Sequence, residues 1–302
     1  MKPFDLQVNG YAGVDFCSSQ LTGEELEFAC RALKEDGVDS ILATIITDSL
    51  DRMEAKLARL VTLRKQSALA KKMIAGLHIE GPFISPKIGY VGAHSVEAVV
   101  GASVDGCKRL LEAAGGLTRV FTLAPECDPG FATTRYLSDQ GVTVSAGHCD
   151  PALDTLHRAI DNGLAMVTHF GNGCPVDLPR HDNVLHRFLH FRDRLWFCFI
   201  PDGAHVDFVA LKNYMDFIGI DRSIAVTDAI CASRLGPGRY ELSGMQIEVD
   251  DNGVARRPGS QNLAGSTVTM PQLQKLLAEE LGFSESEIEQ LVDRNPRSAI
   301  ER

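Results

Sequence analysis

Eight short runs rich in apolar and β-forming residues recur along the chain, and most are followed by a segment with helical character. They are DLQVNG (5–10), SILATIIT (40–47), MIAGLHIEG (73–81), VFTLAPE (120–126), VTVSAGH (142–148), AMVTHFGN (165–172), WFCFIPDGAHV (196–206) and SIAVTDA (223–229). Strands that are apolar almost throughout must be covered on both faces, so their alternation with helices implies a parallel sheet. Eight such units imply closure into a (β/α)8 TIM barrel, an α/β fold. The 302 residues suit one barrel, and a single catalytic domain over 1–302 is expected.

Local signals agree with this pattern. Thr22 and Glu25 form a capping box ahead of EELEFACRALKEDG, with Gly37 ending the helix, and Pro151 opens PALDTLHRAIDNG. Two stretches break the rhythm. Residues 82–95 (PFISPKIGYVGAHS) read as a Gly- and Pro-punctuated loop after the third strand, and 230–266 read as an insertion with a hairpin around DDNG. Long segments at the C-terminal ends of strands are where barrel enzymes build active sites.

The net charge of −10 at pH 7, with no long run of Lys and Arg, excludes a nucleic-acid surface. Any anionic substrate must meet a locally positive site. Eight scattered cysteines without a CxxC pair read as free thiols, and neither a signal peptide nor a membrane span is legible. A cytoplasmic protein is expected.

Polar side chains at the C-terminal ends of barrel strands converge on one mouth. Here they are Asn9, Glu80, Glu126, His148, His169, His205 and Asp228. A single histidine in such a place is usually structural. Two histidines ending the fifth and sixth strands, with a glutamate ending the third and an aspartate ending the eighth, point instead to a metal site. Two imidazoles and a carboxylate suit a borderline divalent ion and leave a position for water. Asp228 is placed to handle the proton. His78, two residues before Glu80, reads as core or supporting, and Glu126 as supporting.

The strings DLQVNGYAGVDF, GLHIEGPF, the GAH of YVGAH, TLAPE, VSAGH, THFGN, DGAHVD, VTDA, LAGSTVTM and NP, in this order, resemble the N-acetylglucosamine-6-phosphate deacetylases of the amidohydrolase superfamily. The resemblance runs from residue 5 to 296. It implies that Glu80, His148 and His169 hold the metal and that Asp228 is the general acid/base. It also implies that His94 helps polarise the acetamide carbonyl, and that the backbone of Asn172 and Gly173, with His205, contacts the sugar phosphate. Arg180 falls where the family supplies a phosphate-binding arginine from the neighbouring subunit, which implies a homodimer.

Three departures are visible. Gln7 and Asn9 stand where many superfamily members carry a His-x-His pair, so one metal per chain is expected. Zn2+ is the chemical favourite, with Fe2+, Co2+ or Mn2+ also compatible. Asn172-Gly173-Cys174 replaces the commoner Asn-Ala-Met, with Cys174 read as a small packing residue. The sequence starts four residues before Asp5 and stops soon after Asn295-Pro296, so a barrel without the family's accessory β-sandwich is expected.

The expected function is metal-dependent deacetylation of an N-acetylhexosamine 6-phosphate, first of all N-acetylglucosamine 6-phosphate, to the amino sugar phosphate and acetate. The alternatives are the N-acetylgalactosamine 6-phosphate isomer, another amidohydrolase reaction on a small amide, and a non-catalytic sugar-phosphate sensor. The complete Glu, His, His and Asp set argues against the last.

Overall fold

The structure, a computed structural model, describes residues 1–301. The eight runs form eight strands: β1 (Phe4–Val8), β2 (Ser40–Ile46), β3 (Ile74–Glu80), β4 (Thr118–Leu123), β5 (Thr143–Ala146), β6 (Leu164–Val167), β7 (Trp196–Phe199) and β8 (Ser223–Ala225). They pair in chain order and in parallel. The seam from β8 back to β1 is bridged by Val8 and Ala229, with the Asn9 amide 2.7 Å from the Ala229 carbonyl. Across the same seam the Thr227 hydroxyl donates to Asp5 at 2.6 Å. The chain is a (β/α)8 barrel.

The pleat sorts side chains between two cores. Along β2, Ile41, Ala43 and Ile45 face the layer between sheet and helices, while Leu42 joins Phe4, Leu6, Val120, Met166, Cys198, Ile224 and Val226 inside the barrel. These side chains plug the barrel, so a ligand meets it at its mouth.

The helix Gly23–Glu35 carries the expected capping box: Glu25 N donates to Thr22 Oγ1, and Thr22 N donates to the Glu25 carboxylate. Gly37 follows its end at φ 77°. The helix after Pro151 begins at Leu153, with Ala152 as its N-cap and no side-chain cap bond.

The segment 82–95 holds no strand and no α-helix. After β8, the strands β9 (Gly238–Leu242), β10 (Met245–Val249) and β11 (Ala255–Arg256) form a small antiparallel sheet. The DDNG turn joins β10 to β11, and a second hairpin turns at Ser243 and Gly244 (φ 52° and 82°), both left-handed as a tight two-residue turn requires. Asn262 Nδ2 donates to Gly92 O at 3.0 Å, tying this insertion to the loop after β3. Among the described residues no helix is long and apolar enough to cross a membrane.

Two expectations at strand ends are corrected. β7 stops at Phe199, so His205 does not end a strand but lies on a turn beyond Pro201, before the helix Phe208–Ile218. Glu126 likewise lies in a 3-10 turn, Pro125–Cys127, beyond β4. In both places a proline, which cannot donate to a ladder, marks where pairing gives out.

Candidate active site

At the mouth of the barrel, backbone kinks aim the polar groups inward. β5, β6 and β8 lose their pairing before His148, His169 and Asp228, which adopt φ of 50°, 32° and 50°. Positive φ is uncommon outside glycine, and such residues cost on the order of 1–3 kcal/mol unless the surroundings enforce them. Only seven non-glycine residues in the described chain have it, and three of them meet here. Glu80 closes β3 and is followed by Gly81 at φ 89°, where a Cβ would lie 2.0 Å from Thr47 Oγ1. That position accepts only glycine.

The kinks bring three groups to one point. Glu80 Oε1 lies 2.9 Å from His169 Nε2 and 3.3 Å from His148 Nε2, and the two Nε2 atoms are 3.1 Å apart. His148 Nδ1 is 2.9 Å from Tyr90 O. A carbonyl only accepts, so the proton sits on Nδ1 and Nε2 presents a bare lone pair to the other ligands. His169 Nδ1 is buried without a partner. Lone pairs packed this closely repel one another unless a cation lies among them, and two imidazoles with one carboxylate fit a divalent ion. Glu80, His148 and His169 thus form a cluster able to hold a metal.

The surrounding groups hold this cluster in place. Gln7 Nε2 donates to Glu80 Oε2 at 3.2 Å, and Asn9 Nδ2 donates to Asp228 Oδ1 at 2.6 Å. The two amides that stand in place of a His-x-His pair therefore orient the two carboxylates, a use that their sequence position does not reveal. His78 lies beneath Glu80, one nitrogen on Leu6 O at 3.1 Å and the other on Thr122 Oγ1 at 2.7 Å, and Thr122 continues through Thr168 to Ser145. Burial lowers the His78 pKa to about 4, so it is a neutral supporting group, as the sequence suggests.

The electrostatics separate the two carboxylates. Burial opposes ionisation of Glu80, but the His148 and His169 imidazoles packed against its carboxylate outweigh it and hold its pKa well below the usual range. Burial and then the Glu80 charge push Asp228 up to about 7. One carboxylate stays ionised while its neighbour titrates near neutrality, the division expected of a ligand beside a proton carrier. His94, on the loop after β3, has Nε2 3.0 Å from His148 Nε2, and burial lowers its pKa to about 3.

A cavity of about 480 Å³ opens above these groups, large enough for a monosaccharide phosphate. Its wall includes Asn172, Gly173, Cys174 and His205, and the insertion adds Leu242, Met245, Arg256 and Asn262. Of the residues singled out in the sequence, Glu80, His94, His148, His169, Asn172, Gly173, His205 and Asp228 all line this one space. Glu126 does not; its carboxylate accepts from Asp150 N at 2.6 Å. Arg180 also lies outside the lining, exposed and with no ion-pair partner among the described residues. Arg256 was missed: the insertion was visible as an interruption, but not which side chain it turns inward.

No family model matches the sequence. The chain is 30% identical over 293 residues to the N-acetylglucosamine-6-phosphate deacetylase of Bacillus subtilis, across 96% of this chain and 72% of that protein. It is 28% identical to an N-acetylgalactosamine-6-phosphate deacetylase of Escherichia coli, across 97% and 75%. The solved N-acetyl-D-glucosamine-6-phosphate deacetylase of Mycobacterium smegmatis superposes with a TM-score of 0.88 at 26% identity, over 99% of this chain and 77% of that one. That of Pasteurella multocida superposes with 0.87 at 27%, over 99% and 76%. Together with the strand-end residues and the cavity they share, these similarities show that the chain belongs to the N-acetylglucosamine-6-phosphate deacetylase family.

Proposed function

We propose that the chain removes the acetyl group from an N-acetylhexosamine 6-phosphate, first of all N-acetylglucosamine 6-phosphate, with one divalent ion per chain. The observation that carries this reading is the convergence of Glu80, His148 and His169 beside the buried Asp228 carboxyl, at the floor of a sugar-sized cavity. A divalent ion held by those three residues supplies Lewis acidity to an amide carbonyl and lowers the pKa of a water beside it. Asp228 takes the proton from the attacking water and gives it to the departing amine nitrogen, a task suited to a group that titrates near neutrality. His94, kept neutral by burial, offers its imidazole to the amide carbonyl oxygen. Gln7 and Asn9 hold the two carboxylates and are poor ligands themselves, which supports one ion rather than two. The nitrogen-rich donor set favours Zn2+.

The Asn172–Gly173 backbone and His205 contact the sugar phosphate in this reading, and Arg180 reaches it from the partner of a homodimer. Among the described residues Arg180 is exposed and has no ion-pair partner, which supports that role. So does the exposure of two apolar side chains, Ile88 at 94% and Val176 at 98%, on the loops joined by the contact between Gly89 and Pro175. Large aliphatic groups left this exposed on adjoining loops would be stabilised by a covering protein surface. Eight unpaired cysteines fit the reducing cytoplasm, where we place the chain.

The test is a comparison of kcat/KM for N-acetylglucosamine 6-phosphate, N-acetylgalactosamine 6-phosphate and unphosphorylated N-acetylglucosamine. The phosphorylated gluco substrate is expected to exceed the unphosphorylated sugar by about 30- to 150-fold, since losing one charge-paired phosphate contact costs roughly 2–3 kcal/mol. Equal rates with and without phosphate would remove His205 and Arg180 from their assigned roles. Preference for the galacto isomer would reassign the substrate but leave the chemistry intact.

A further inference from the structure

Resting on the deacetylase reading, we propose that Asp202 is a positioning residue that holds His205 as a fixed, cationic donor to the substrate phosphate. The turn between β7 and the helix Phe208–Ile218 is built around the Asp202 carboxylate. Its Oδ1 accepts from the Ala204 amide at 2.9 Å and the His205 amide at 2.8 Å, and its Oδ2 lies 2.7 Å from His205 Nδ1. Gly203, at φ 74° and packed on the Phe208 ring, permits the tight reversal. Both carboxylate oxygens are thus spent on one short loop and on one ring.

The consequence falls on the far side of that ring. With Nδ1 bound to a carboxylate, its proton is fixed there, and Nε2 is left free at the wall of the cavity. The side chain is 6% exposed, so the ring is buried except toward the cavity. Burial opposes charging His205, but the Asp202 carboxylate on its own turn outweighs it and raises its pKa, while the same pairing holds Asp202 below the usual carboxylate range. A proton taken up at Nε2 is therefore balanced by Asp202, on a ring that cannot swing. The other cation of the cavity wall, Arg256, is paired with Asp250 at 3.0 Å. In a chain of net charge −10, His205 is the cationic group of this cavity best placed to meet an anion.

Asp202→Asn tests this. The amide oxygen keeps the two backbone bonds, so the turn survives, but the amide nitrogen faces Nδ1 and the imidazolium loses its counter-charge. KM for N-acetylglucosamine 6-phosphate is expected to rise about 10-fold, the scale of one charge-assisted bond, with kcat within about threefold of wild type. KM for unphosphorylated N-acetylglucosamine should not move, and inhibition by inorganic phosphate should weaken in parallel. His205→Gln should give the same loss, and the double variant little more than either. The His205 imidazole pKa, followed by NMR, should fall in Asp202→Asn, a shift that a purely structural turn would not produce. Equal effects on both sugars, full additivity of the two variants, or an unmoved imidazole pKa would overturn the proposal. Absence of acetate release by the wild-type enzyme would instead count against the deacetylase reading, since the NMR measurement does not depend on turnover.

Discussion

Asp228→Asn is expected to lower kcat by about 10³- to 10⁴-fold while metal content stays at the wild-type level. Proton transfer by a positioned group is typically worth up to that factor, and an amide cannot accept the proton. The variant should keep its shape, because the amide oxygen can still accept from Asn9 Nδ2. A second consequence separates this residue from an ordinary structural aspartate. Burial and the Glu80 charge raise its pKa from 3.8 to about 7, so the folded state favours the protonated form. The stability that this group contributes is complete below about pH 4 and is lost as pH rises toward 7. Above pH 7 the metal-free Asp228→Asn protein should therefore be the more stable of the two, by on the order of 2–4 kcal/mol, and the advantage should vanish at pH 4. Thermal melts of the metal-free proteins at the two pH values read this directly. Near-normal turnover would remove Asp228 from the proton-transfer role; no gain in stability at high pH would contradict the burial argument.

Glu80→Gln is expected to abolish metal retention and activity together. Glu80 touches both imidazoles and is the only carboxylate in the cluster, and a neutral amide is a poor replacement ligand. Affinity should fall by more than about 100-fold, the upper end of what loss of a merely supporting partner costs. Gln7→Ala supplies that comparison. It leaves the carboxylate in place and removes only the 3.2 Å hydrogen bond to Oε2, so a loss of about 10- to 100-fold is expected. Metal analysis after dialysis, followed by competition with a chelator, ranks the three proteins. Retention of a full metal equivalent by Glu80→Gln would show that the ion lies elsewhere.

The barrel was legible because nearly continuous apolar strands have one common solution, and the paired β1 to β8 lie within or close to the eight runs read from sequence. The ends were less legible. Apolar character continues past the last paired residue, so Ala146, Val167 and Ala225 end strands two or three residues before His148, His169 and Asp228. What makes these groups converge is the left-handed backbone at the kinks; histidine and aspartate enter that conformation more readily than most residues, but residue type does not say which of them will. His205 shows the same limit: it reads as the end of a long apolar run, but it is presented by a turn closed by Asp202. Contacts between residues far apart in sequence were not legible at all. The bonds from Gln7 to Glu80 and from Asn9 to Asp228 span 73 and 219 residues, and Arg256 reaches the cavity only because the insertion folds back over it.

The most direct test of the central claim is to titrate chelator-treated protein with Zn2+ while recording acetate release from N-acetylglucosamine 6-phosphate. No activity is expected without metal, followed by a linear rise that saturates at one ion per chain. Acetate release that survives metal removal, a break at two ions per chain, or no release at any metal loading would contradict it.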